Sequence, residues 1–233
     1  MQKLFAGLCG LLLIPCAGGL VFAVYQELVA IQMTENSSHL LYSFVGGAAV
    51  WIILFFIFPR PLRSYILAHE LSHLLAAWLS GVRGGRLRVG SEGGSVEVSK
   101  STIWIALAPY LIPFYSLLLL ALHWIASLWW DPVYWQKGLP FGLGFTWCFH
   151  LTFTLYILSV PQSDVQPYGR LGAYSFILSG NLLLLCLALF VINDQPVIDD
   201  LHALLHLQQK AYRFATDQGH QLISLIKNAI FQG

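Results

Sequence analysis

Long apolar runs separated by short polar breaks dominate the chain. They cover residues 4–30, 40–58, 62–80, 103–130, 141–160 and 171–192. A helix needs about 20 apolar residues to cross a bilayer, so the pattern predicts about six membrane helices. The polar stretch Thr34-Glu35-Asn36-Ser37-Ser38 separates the first two, and Pro59-Arg60-Pro61 ends the second and opens the third. The third stops at Gly81, the expected punctuation of proline at the start and glycine just past the end. Pro109 and Pro113 predict kinks in the fourth. The first run follows Lys3 and lacks a clear small-x-small cleavage site, which favours a retained helix over a signal peptide.

Residues 82–100 break this pattern. Gly84-Gly85, Gly90 and Gly93-Gly94 bracket two alternating runs, in which Leu87 and Val89 oppose Arg86 and Arg88, and Val96 and Val98 oppose Ser95, Glu97 and Ser99. Period two on both sides of a glycine-rich turn predicts a β-hairpin over 84–99, between two membrane helices. The tail, residues 197–231, places Leu201, Leu204, Leu205, Leu222, Ile223, Ile226 and Ile230 at helical spacing. It reads as an amphipathic helix at the membrane surface, with Asp199 and Asp200 as caps.

Composition gives the same class. The chain is 57% hydrophobic with a mean hydropathy of +0.68, and only 10% charged. Soluble domains run near 25% charged, roughly, so the lipid bilayer is the solvent that suits this chain. The expected architecture is an all-α polytopic membrane protein: one membrane-embedded domain over 1–195 that includes the hairpin, then the amphipathic helix over 196–233. A net charge of +1 with scattered basic residues argues against a nucleic-acid partner. Cys9, Cys16, Cys148 and Cys186 lie in apolar stretches without Cys-x-x-Cys spacing and read as small buried hydrophobes.

The chemistry concentrates in His69-Glu70-Leu71-Ser72-His73. Residues four apart share a helix face, so His69 and His73 can present imidazoles to one point. Neutral imidazoles suit Zn²⁺, which lowers the pKa of bound water to roughly 7. Glu70, beside His69, is placed to act as general base on that water. The bland alternative is a polar cluster that glues helices together. Yet two histidines and a glutamate in so apolar a helix are costly in lipid without a role.

A catalytic zinc needs a third protein ligand. Asp164 is the only acid between the fifth and sixth runs; it can equally be a solvated loop residue or the N-cap of the sixth helix. His150, within the fifth run, is the other candidate and reads more simply as an interior histidine. His202 and His206 also stand four apart, without an intervening acid, and read as exposed on the tail helix. His123 reads as an interface residue near Trp124. Asn181 can orient a substrate carbonyl or bridge two helices.

From about residue 66 to 120 the chain resembles the site-2 protease family of intramembrane zinc metalloproteases, and most closely its compact branch without a PDZ domain. The resemblance rests on His69-Glu70-Leu71-Ser72-His73-Leu74-Leu75-Ala76-Ala77, then Gly81, the 86–90 strand, Gly93-Gly94 and Val96, and an apolar helix from about Ala106. It implies that His69, His73 and Asp164 bind Zn²⁺ and that Glu70 is the general base. It also implies a membrane-protein substrate whose transmembrane or juxtamembrane segment is cleaved, and a bacterial inner-membrane location. That activity requires the substrate helix to unwind, and the hairpin edge at Val96 and Val98 can hold the unwound segment by β-addition. The family often sets its aspartate in Leu-Asp-Gly; here the context is Ser163-Asp164-Val165, with Pro161 as the only echo.

Three other readings remain at this level. A CAAX-type membrane protease takes glutamate as third ligand, for which only Glu92 and Glu97 stand downstream of the motif, both in the hairpin. A metal-binding or transport protein would spread polar residues over several helices. An inactive relative would bind substrate helices without cutting them.

Overall fold

The computed structural model describes residues 2–31, 35–91, 93–131, 138–193 and 197–231. Among these residues the fold is eight α-helices and one two-stranded antiparallel sheet. Four helices are long and apolar enough to cross a membrane: α1 (Gln2–Ala30), α2 (Glu35–Ile57), α6 (Gly138–Leu158) and α7 (Gly169–Asn193). Large apolar side chains on them stand open, such as Phe5, Phe56 and Leu155, each more than 70% exposed. Surfaces of that kind suit lipid.

The chain gathers into two units. One holds α1, α7 and α8 (Val197–Phe231). Helices α1 and α7 touch at Gly10 and Gly172, where a Cβ on Gly10 would lie 2.8 Å from the Gly172 Cα. The tail helix joins them through Leu204 and Leu207, which pack in one cluster with Leu20, Ala23, Cys186 and Phe190. The Tyr212 hydroxyl donates to the Leu12 carbonyl at 2.8 Å. Thr34 and the side chains of Asp199, Asp200, Ile226 and Ile230 lie outside the described residues.

The second unit carries α2, α3 (Leu62–Leu79), β1 (Gly84–Val89), β2 (Gly94–Val98), α4 (Ile103–Leu107), a 3₁₀ turn at Ala108–Tyr110, α5 (Phe114–Ala126) and α6. Helix α2 starts at Glu35, earlier than hydropathy predicts, because a polar first turn costs a helix little. It packs against α6 around Trp51, Phe55, Phe149 and Phe153, and Trp51 Nε1 donates to Thr152 Oγ1 at 2.8 Å.

Two of the six expected spans differ. Helix α3 is not among the four long apolar helices, because its 18 residues include Arg63, His69, Glu70 and His73. The fourth run is broken, not kinked: Ile103–Tyr110 and Phe114–Ala126 meet at 81°, and count as a fifth span only if taken together. Pro109 and Pro113 cause the break, since neither has an N–H to continue the helical ladder.

Helix α3 ends as its sequence predicts. Gly81 takes φ 67°, and the Val82 N–H reaches back to the Ala77 carbonyl at 2.8 Å. The chain then turns straight into the hairpin, in which Leu87 pairs with Val96, Arg88 with Ser95 and Val89 with Gly94. The predicted alternation holds on β2, where Val96 and Val98 are half-buried while Ser95 and Glu97 are exposed; on β1 it holds for Leu87, whereas Val89 is exposed.

Candidate metal centre

Helix α3 has two working faces, each set by a four-residue interval. Tyr65, His69 and His73 lie along one; Ile66, Glu70 and Leu74 lie along the other. Gly94 of β2 rests against Ile66 and Glu70, and Gly84 of β1 against Leu74. Side chains at those two glycines would hold the hairpin off the helix. The missing Cβ atoms therefore bring a strand directly over the motif.

The first face meets Asp164. His69 Nε2 lies 3.2 Å from Asp164 Oδ2 and His73 Nε2 lies 3.6 Å from the same oxygen. The three ligand atoms are all within 4.8 Å of one another, a grouping that can hold a metal ion. The two histidine side chains are 12% exposed and the aspartate 21%, so the group is sheltered yet reachable. Asp164 sits in the turns between α6 and α7, five residues before Gly169 begins α7, and so does not cap that helix. Burial alone would raise its carboxyl pKa, but hydrogen bonds and attraction from His69 and His73 outweigh burial and hold it well below the usual carboxylate range.

Hydrogen bonds orient the three candidate ligands. His73 Nδ1 lies 2.7 Å from the Ile105 carbonyl. That oxygen only accepts, so Nδ1 carries a proton and Nε2 is the nitrogen left to serve as a ligand. The broken helix makes the carbonyl available, because the residue four positions on is Pro109, which has no N–H to offer it. Thr102 caps α4 by accepting from the Ile105 N–H at 3.3 Å, which fixes the segment that presents this carbonyl. The Tyr65 hydroxyl lies 3.1 Å from His69 Nδ1, and the Tyr110 hydroxyl donates to Asp164 Oδ2 at 3.1 Å.

A cleft of about 520 Å³ opens on this group. His69, Glu70, His73 and Asp164 line it together with Gly94, Val96 and Val98 of β2, while no residue of β1 does. The hairpin thus turns its inner strand toward the cluster, and among the described residues that strand's second edge has no partner strand.

The other residues marked by sequence fall elsewhere. His150 is buried in α6 and lines a separate small cavity of about 10 Å³ with Tyr65, His69 and Thr146. Asn181 is on α7 and donates to the Ile177 carbonyl at 2.9 Å. His202 and His206 are exposed on α8, and His123 is half-buried near the end of α5. Glu97 is exposed on β2, and Glu92 lies outside the described residues. Sequence reasoning missed Tyr65 and Tyr110. Tyr65 had a signal, standing four residues before His69 as His73 stands four after. Comparison of the chain with protein-family models, with curated proteins and with solved structures finds no match.

Proposed function

We propose that this chain is a zinc-dependent intramembrane endopeptidase of the site-2 protease type, acting on extended segments of membrane proteins. One observation carries the reading: Asp164 Oδ2 stands 3.2 and 3.6 Å from the two motif Nε2 atoms, in a cleft shared with Glu70 and a free strand edge. Ligands about 2.0–2.1 Å from a tetrahedral zinc stand roughly 3.3–3.4 Å apart, so the two distances to Asp164 suit that ion. Two imidazoles and one carboxylate also match the donor sets of catalytic zinc, which leave one position open.

In this reading His69, His73 and Asp164 hold the ion, which supplies Lewis acidity that makes hydroxide available near neutral pH. Glu70 takes the proton from the attacking water and passes it to the leaving amide nitrogen. The edge of β2 holds the unwound substrate by backbone hydrogen bonds, and the apolar lining (Ile66, Ile105, Ile157 and Val160) keeps bulk water from the bond being cut. Charged side chains other than the motif residues and Asp164 do not line the cleft among the described residues, which fits an apolar substrate segment.

Zinc per chain in detergent-solubilised protein is the first measurement. About one zinc is expected in the wild type, lost in His69→Ala and in Asp164→Ala. Glu70→Gln should keep its zinc and lose cleavage of a single-span model peptide with central glycines. A wild type that takes up no zinc on reconstitution, or a Glu70→Gln variant that still cleaves, would overturn the proposal. A wild type that holds zinc without cleaving, and whose metal binding is unchanged in Glu70→Gln, would favour a metal carrier.

A further inference from the structure

We infer that two tyrosine hydroxyls, those of Tyr65 and Tyr110, are positioning groups of the metal centre: Tyr65 sets which nitrogen of His69 faces the cluster, and Tyr110 holds the Asp164 carboxylate. The inference rests on the proposed metal reading of His69, His73 and Asp164 and adds the residues that orient them.

The two histidines differ in how their outer nitrogens are held. His73 faces a backbone carbonyl, which can only accept, so its tautomer is fixed. His69 faces a phenol, which can give or take. When His69 Nε2 serves as a ligand, Nδ1 carries the proton and donates to the Tyr65 oxygen. When His69 Nε2–H instead donates to Asp164, the Tyr65 hydroxyl donates to Nδ1. One hydroxyl therefore satisfies the ring in both states, with no side chain moving.

Geometry keeps that hydroxyl in place. Tyr65 is buried, and its ring stacks on Phe153 at 4.8 Å and 11°. Phe153 itself is fully buried among Trp51, Phe55 and Phe149. The α2–α6 core thus reaches the cluster through the stacked ring of Tyr65.

Tyr110 reaches Asp164 from inside the fold. It is fully buried, in the 3₁₀ turn between Pro109 and Pro113, and does not line the cleft. Its hydroxyl donates to Oδ2, the same oxygen that faces both imidazoles. A carboxylate on a loop turn is free to rotate. This hydrogen bond fixes the rotamer that points Oδ2 at the cluster, and it does so in a segment without the glycine that often follows the family's aspartate. Partners of this kind are commonly worth 10–100-fold, roughly, in metal affinity.

The test measures zinc affinity of the full-length, detergent-solubilised chain by competition with a chromophoric chelator, and the visible spectrum of the Co²⁺-loaded protein. Tyr65→Phe and Tyr110→Phe keep the rings and their packing, so only a hydroxyl is lost. Each should bind zinc about 10–100-fold more weakly, with altered Co²⁺ ligand-field bands. Tyr115→Phe is the control: its hydroxyl donates to the Ser64 carbonyl at 2.8 Å, and its loss should leave affinity and spectrum unchanged. Wild-type affinity, within twofold, in both site variants would overturn the inference while leaving the metal reading intact. Loss in one variant alone would overturn the role given to the other tyrosine. Equal loss in Tyr115→Phe would overturn both roles, by showing a general effect on the fold. A wild type that binds neither metal would remove the reading on which the inference stands.

Discussion

Gly94 lies directly on Glu70: a Cβ built on the glycine would sit 2.8 Å from Glu70 Cγ and 2.9 Å from Oε1, and 2.6 Å from Ile66 Cγ2. Real Cβ atoms do not approach so closely, so Gly94→Ala must displace something. The nearest atoms, Ile66 Cγ2 and Glu70 Cγ, sit close to the helix backbone, so Glu70 must turn to another rotamer or the strand must lift off it. Overpacking of this kind costs about 1–3 kcal/mol, small enough for the fold to survive. The expected result is a loss of cleavage of at least about tenfold with zinc content near the wild-type value, since neither metal-facing histidine is touched. Full activity in Gly94→Ala would mean that Glu70 does not need its present rotamer.

The edge of β2 allows a sharper test. In an antiparallel pair, every second residue turns its N–H and C=O away from the partner strand. The Gly90 N–H donates to the Gly93 carbonyl, and the Ser99 N–H to the Arg83 carbonyl. With the observed register, and the shift between Gly84 and Leu87, the backbone groups of Gly94, Val96 and Val98 then point away from β1. Proline at Val96 or Val98 removes an N–H that β1 does not use, so the hairpin keeps its ladder. Cleavage by Val96→Pro and Val98→Pro should fall while zinc content holds. Normal cleavage by both would rule out substrate pairing on this edge.

How much of this could be read from sequence follows from the range of each interaction. The motif and the hairpin rest on local spacing: four residues between His69 and His73, and alternation between Gly93-Gly94 and Lys100. Both were legible, as was the tail helix. Asp164 is 95 residues from His69, and nothing in residues 160–170 points to that partner: being the only acid there made it a candidate, and the family resemblance favoured it. Tyr110 was hidden for a further reason. In an apolar run a tyrosine reads as an interface residue, and only the break at Pro109 and Pro113 turns its hydroxyl toward a carboxylate 54 residues on. The expected six runs and the four long apolar helices part company at two places. The polar motif lowers the hydropathy of α3, and the prolines that free the Ile105 carbonyl also break the fourth run.

The α2–α6 crossing should control stability and reach the site only indirectly. A Cβ on Gly144 would lie 2.7 Å from the Phe44 carbonyl carbon and 3.0 Å from its Cα, and one on Gly47 would meet the Phe141 carbonyl. The obstacles are backbone atoms, which cannot rotate aside. Any side chain there forces the two helices apart, as expected where small residues let membrane helices touch. Separation would loosen the contacts of Trp51 with Phe149 and Phe153, and with them the ring on which Tyr65 stacks. Gly144→Ala should therefore lower the melting temperature in detergent by several degrees, on the order of 1–3 kcal/mol of overpacking. Its zinc affinity should fall less than in Tyr65→Phe, because the hydroxyl remains. Gly7→Ala, a position with open space around it, is the comparison and should melt at or above the wild-type temperature. If Gly144→Ala and Gly7→Ala melt alike, the helices do not meet at Gly144, and the support that the crossing gives to Tyr65 goes with it.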